Sequence, residues 1–360
     1  MRRLILSLAL LGSAAAAHAA DVAVPPAPVY RGEIVLPTGL KIGGTEFGGI
    51  SGLDYDPAAD TFYAISDDRS ERAPARLYTL KMVLGADGIA SLDIAGSQVL
   101  LGLDGAPFPA RSIDPEAIRL AGGRLIWSSE GDATGRPSIT KADLAGKGLG
   151  IFKLPDSFLP QEAGGRGVRG NLGFEGLALS PDGKTLYAAT ENALVQDGDK
   201  ASLSAGSPAR LLVLDLAEGK ETADYVYETE KIFQAPAVPG APADNGVSEI
   251  LTLDEGRLVF VERAYVAGVG NRIAFYIVSL AGADDVSARP SIAGARPLSK
   301  ALWFSIDEGD FDGLDIDNIE AASWGPEIDG ERSLVLASDN NFNSKQSSQF
   351  LLFTVPKVAP

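Results

Sequence analysis

Asn171–Asn192 reads NLGFEGLALSPDGKTLYAATEN. Gly173–Leu179 is a strand whose apolar residues alternate at its end. Ser180-Pro181-Asp182-Gly183 is turn chemistry, with Pro presetting φ and Gly taking a positive φ. Leu186–Thr190 is the return strand. A glutamate, Glu175, stands near the start of the hairpin and another, Glu191, at its end.

Four other stretches repeat this unit. Gly48–Tyr55 (GGISGLDY) turns at Asp56-Pro57 into Thr61–Asp68 (TFYAISDD). Asp114–Leu120 turns at Gly122-Gly123 into Arg124–Glu130 (RLIWSSE). Val247–Leu253 turns at Asp254–Gly256 into Arg257–Glu262 (RLVFVE). Asn318–Trp324 turns through Asp329-Gly330 into Ser333–Asp339 (SLVLASD). A third apolar strand follows each hairpin: Arg76–Leu80, Ser138–Leu144, Arg210–Leu216, Arg272–Leu280 and Phe350–Val355. Four copies continue into a fourth, at Ser97–Leu103, Leu149–Leu154, Tyr225–Phe233 and Ser299–Ile306. The last copy runs out of chain, and Gly32–Ile42 is a strand-like piece able to supply its missing strand.

Self-similarity at this period indicates radial repetition. The expected fold is all-β, a β-propeller of five blades with four antiparallel strands each, closed by the N-terminal strand. A sixth, degenerate blade and a β-sandwich are the alternatives. Scattered Gly (41) and Pro (22) leave little room for helices. The expected organisation is a signal peptide over 1–19, a Pro-rich extended and mobile leader over 20–31, and one domain over 32–356. Arg2 and Arg3, the short apolar run Leu4–Ala17 and the Ala17-His18-Ala19 cleavage pattern support export to the periplasm or medium.

The only histidine, His18, lies in that signal peptide, and there is no cysteine. This excludes Ser-His-Asp and Cys-His nucleophilic sites and the usual His/Cys zinc sites. A net charge of −17 disfavours nucleic acid, and no stretch beyond the leader is long enough to span a membrane. The chain is expected to act as a monomer.

Aligning the copies places acids at two positions. Glu116, Glu175, Glu249 and Glu320 fall on the first strand, with Ser51 in the first copy. Asp67, Glu130, Glu191, Glu262 and Asp339 end the second strand. In a propeller the first strands line the central channel, so these residues should converge. Carboxylates held together raise one another's pKa unless a cation sits among them, and Ca²⁺ prefers such oxygen sets. Asn192, Asn340 and Asn341 follow the second-strand acids and could add amide oxygens. Arg69 and Arg263 could grip an anion bidentately. The loop Lys153–Asn171 is a surface loop, or a lid bringing Arg166 and Arg169 to the substrate. The three tryptophans, Trp127, Trp303 and Trp324, are expected in packing.

These stretches resemble the phytase-like family described by an "esterase-like activity of phytase". The resemblance rests on Gly48–Arg69, Asn171–Asn192, Glu249–Arg263 and Asn318–Gln349. It implies a propeller hydrolase of phosphate esters or related esters, dependent on calcium, whose expected partner is a small anionic or ester substrate. The family's acidic positions fall on Asp67, Asp68, Glu116, Glu130, Glu175, Glu191, Glu249, Glu262, Glu320 and Asp339. The mechanism expected is a water oriented by bound calcium, deprotonated by Glu175 or Glu191, with the substrate held by Arg263, Arg69, Arg166, Arg169, Asn192 or Asn340. A calcium-dependent lactonase and a non-catalytic binding propeller are the alternatives.

Overall fold

The five hairpins of the sequence fold into five antiparallel sheets of four strands, arranged as the blades of a propeller. The computed structural model describes residues 22–161 and 164–357, so the expected signal peptide lies outside the described residues. The blades begin on the strands Ile50–Asp56, Pro115–Ala121, Phe174–Leu179, Ala243–Asp254 and Ile319–Ile328. These five contact one another in cyclic order and surround the central axis. Blades 1 to 4 run outward in chain order. Blade 5 takes its outermost strand from the N-terminus, where Val29–Pro37 pairs antiparallel with Ser347–Val355. No sixth blade occurs among the described residues; the sole further sheet is the short hairpin of Lys41–Ile42 and Thr45–Glu46.

Each hydrophobic cluster lies between two neighbouring blades, because each sheet is apolar on both faces. Leu53, Phe62 and Tyr78 of blade 1 pack on Val335 and Phe350 of blade 5 and close the ring. Ile65 and Leu77 meet Ile118 and Trp127 between blades 1 and 2. Equivalent sets fill the other three junctions. Burying side chains of this size stabilises by about 1.5–3 kcal/mol each. All three tryptophans serve this packing: Trp127 is fully buried, and Trp303 and Trp324 sit between blades 4 and 5.

Two expectations are corrected. The fourth strand of blade 1 is Gly88–Val99, not Ser97–Leu103, because Arg76–Gly85 runs on to a turn before Gly88 and folds back early. The leader is docked rather than loose, and Val29–Arg31 already belong to the closing strand. Trp303 Nε1 donates to the carbonyls of Pro25 and Pro26 at 3.1 and 2.9 Å, and Arg257 donates to Ala23 at 2.7 Å.

Candidate functional site

The innermost hairpin of every blade carries an irregularity at the same place. In blade 3, Phe174 pairs with Thr190 and Gly176 with Ala189, so Glu175 has no partner. Ser51 in blade 1 and Glu320 in blade 5 are skipped in the same way. Glu116 with Ala117 is skipped in blade 2, and Ser248 in blade 4. A β-bulge inserts a residue and re-aims its side chain. Here it turns Glu116, Glu175 and Glu320 toward the channel mouth. One position beyond each bulge's cross-strand pair stand Asp67, Glu130, Glu191, Arg263 and Asp339. The N–H groups of Asp67, Glu130, Glu191 and Asp339 donate to the carbonyls of Gly49, Asp114, Gly173 and Asn318 at 2.8–3.0 Å, so four blades hold this residue identically.

Blade 4 carries its bulge at the same place, but with different residues in it. Val247 pairs with Glu262 and Glu249 with Val261. Ser248 is therefore the counterpart of Glu175, and Arg263 the counterpart of Glu191. Glu249 and Glu262 are each one place away from the position expected of them, and one residue along a strand exchanges faces. Glu249 is fully buried and paired with Arg119 at 2.8 Å, and it accepts from the N–H groups of Leu177 and Ile250. Glu262 accepts from Tyr227 Oη, Lys300 Nζ, Asn245 Nδ2 and the Glu230 N–H. Neither reaches the mouth of the channel.

What does converge there is a cavity of about 400 Å³ lined by Asp67, Asp114, Glu116, Glu130, Glu175, Glu191, Asp244, Glu320 and Asp339. Against these nine carboxylates stand Arg69, Lys200 and Arg263. Asp114, Asp244 and Lys200 were not singled out from sequence. Asp114 lies two residues ahead of Glu116 and was hidden by its ordinary Asp-Pro setting. Gly246 makes room for the wall: a Cβ there would lie 2.5 Å from Glu191 Cγ.

The other sequence-selected residues serve the scaffold. Asn340 accepts from Gly49 and Phe342 N–H at 3.1 Å each and donates to Thr38. Asp68 is locked against Arg76 at 2.7 Å. Asn192 lines the cavity, but its amide donates to Asn245 O and accepts from Ala201 N–H. Arg166 lines a different cavity, beside Lys153 and Arg289. Arg169 donates to Ala193 O and Gly198 O. The loop that carries both arginines is anchored rather than lid-like around Phe158, which is buried and stacked on Phe174 at 5.2 Å.

Burial is the first cause of the cavity's electrostatics, and mutual repulsion the second. Asp67 is pushed up to about 7 by burial, then by Glu320, Asp114 and Asp68. Burial likewise lifts Glu130 to about 7, Asp114 to about 6 against the pull of Arg69, and Glu191 to about 8 against the pull of Arg263. Glu116, Glu175 and Asp339 are held well above the usual range, and Glu320 is raised. Such a set fits a divalent cation. Asp114, Glu116 and Glu130 can bring one oxygen each within 4.8 Å of one another, and so can Glu130, Glu175 and Glu191. Glu130 belongs to both groups. Asp67 Oδ1 is buried with no hydrogen-bond partner among the described residues.

A family model described as "Phytase-like: Esterase-like activity of phytase" matches residues 45–342. A protein of Arthroderma benhamiae called an uncharacterized secreted protein is 30% identical over 140 residues, covering 32% of this chain and 27% of that relative. The chain thus matches little more than a quarter of that relative's length. A solved structure titled "Structure of Dos1 propeller" is 10% identical with a TM-score of 0.36, over 87% of this chain and 68% of its own. A likeness at that level adds nothing to the fold described above.

Proposed function

The chain belongs to the phytase-like family, and from that premise we propose that it is an exported, calcium-dependent hydrolase of phosphate esters or related esters. One observation carries the reading: two groups of three carboxylates share Glu130 in the mouth of the channel. Oxygen-only donors favour a hard cation such as Ca²⁺ over zinc. A divalent cation there would supply Lewis-acid charge to a phosphoryl or carbonyl oxygen. Asp114, Glu116, Glu130, Glu175 and Glu191 would hold it. Glu191 or Glu175, whichever the cation leaves uncoordinated, would accept the proton of an attacking water, since both line the same cavity. Arg263 faces Glu191, Glu320 and Asp244 and offers positive charge to an anionic substrate.

A lactone-opening activity is the second reading, favoured by the amide of Asn341 in the same lining. The test measures bound metal, thermal stability with chelator and with Ca²⁺, and turnover of phosphate monoesters, phosphodiesters, carboxylic esters and lactones. Wild type should bind Ca²⁺ and hydrolyse at least one ester class in its presence. Glu130→Gln should lose both properties. Calcium binding without turnover of any ester or lactone would leave a binding propeller. Wild-type calcium affinity in Glu130→Gln would refute the site.

A further inference from the structure

The three cations of the cavity are not equivalent. Arg69 is spent: its Nη2 lies 2.6 Å from Asp114, and it also donates to Asn171. Arg263 comes no closer than 3.6 Å to any carboxylate, with Glu320 at that distance, Asp244 at 3.9 Å and Glu191 at 4.0 Å. These are electrostatic neighbours and not hydrogen bonds. Its Nε is buried and has no partner among the described residues. A donor kept from water without an acceptor costs free energy that a bound acceptor recovers.

Lys200 is the third cation. It is exposed at the rim, yet the backbone on both sides of it is tied down. Ser207 Oγ donates to Asp199 O at 2.8 Å, and Ala201 N–H donates to Asn192 Oδ1 at 2.9 Å. Earlier in the same loop Arg169 holds Ala193 O and Gly198 O, and Val195 N–H donates to Gly167 O at 2.9 Å. Two residues that read as ligand contacts in the sequence, Arg169 and Asn192, are thus the anchors of the loop that presents Lys200. The ammonium makes no ion pair within 4 Å among the described residues.

We propose that Arg263 and Lys200 form a receptor for a tetrahedral oxyanion, the phosphoryl group of a phosphate ester, on the blade 3–blade 4 side of the cavity. This deepens the reading above and rests on it for the reaction, though not for the binding. A guanidinium offers two parallel N–H groups to two oxygens of one phosphate, and an ammonium adds a compact charge from a different direction. Together they match a dianion that the surrounding carboxylates would otherwise repel. A neutral ester or lactone gains nothing from them, so the pair selects phosphate esters.

The probe is methylphosphonate, which carries the oxyanion and no hydrolysable ester. Its binding is titrated calorimetrically in calcium and, separately, in chelator. Wild type should bind it in the calcium arm. Lys200→Met and Arg263→Met should each weaken binding about tenfold, the loss of one charged contact of about 1.4 kcal/mol. Arg263→Lys should fall between, since it keeps charge and loses the fork. Lys231→Met, which alters an exposed lysine of a neighbouring cavity, should leave affinity unchanged. Lys200 is exposed, so its variant tests the pair without disturbing packing. Equal affinity in wild type and Lys200→Met, or no binding in either arm, overturns the proposal. Binding that depends on the two cations in a protein that takes up no calcium would sustain the pair and refute the metal reading instead.

Discussion

Removing divalent cations should make the stability of this protein fall as pH rises from 5 to 8. Asp67, Glu130 and Glu191 move from ordinary values of 3.8, 4.5 and 4.5 to about 7, 7 and 8 in the folded cavity. A carboxylate whose folded pKa exceeds its unfolded one is held protonated by the fold. Its contribution is complete below the unfolded value near pH 4 and is lost as pH climbs through the folded value. The window is therefore about pH 4–8. One pKa unit corresponds to about 1.4 kcal/mol, so the rise at Glu130 alone costs about 3 kcal/mol by pH 8. In a domain of this size that is roughly a 4 °C drop in Tm. The described residues contain neither histidine nor cysteine to titrate in the same range. A bound divalent cation replaces the protons and should flatten or reverse the slope, whereas matched monovalent salt should not. The assay is scanning calorimetry at four pH values between 5 and 8, in chelator and in millimolar Ca²⁺. A chelated protein whose Tm stays level or rises with pH, or a slope that calcium leaves untouched, would refute the argument that these acids share a desolvated cation site.

Three further outcomes are expected from the geometry. Gly246→Ala would drive a methyl onto the Glu191 side chain; chemical denaturation should show a loss of about 1–3 kcal/mol, with weakened calcium uptake by titration. Arg119→Met would strand Glu249 in the channel without its partner and remove bonds to Leu53 O and Ile250 O. It should cost about 3–5 kcal/mol in the same assay, and a loss under about 1 kcal/mol would mean the pair holds nothing. Deleting residues up to Pro37 removes the strand that closes blade 5. It should lower Tm sharply and expose the blade 5 edge to self-association, measured by light scattering.

Much of the fold was legible because a propeller repeats a local unit. Alternating apolar residues and Gly-containing turns mark each hairpin, and Gly183 does take the positive φ its turn requires, at +67°. Five copies imply five blades, and a missing strand at one end with a spare at the other implies closure. The acidic character of the channel mouth was equally visible, since equivalent residues of a ring must share an axis. The leader's docking was not, because it depends on Trp303 and Arg257, more than two hundred residues away.

Which acids face the cavity was decided by tertiary structure, through the bulges. One residue inserted on one strand leaves composition and apparent alternation almost unchanged, yet it reverses the face of every later residue on that strand. In blade 4 the bulge falls on Ser248, so Ser248 and Arg263 hold the positions expected of Glu249 and Glu262. It thereby sets the one guanidinium of these ten ring positions among carboxylates. The partners that consume Glu249 and Glu262, namely Arg119, Tyr227 and Lys300, come from other strands and blades. Spacing along the chain carries the period of a repeat; the direction of a side chain at a bulge, and the charge that meets it across the axis, exist only once the ring has closed.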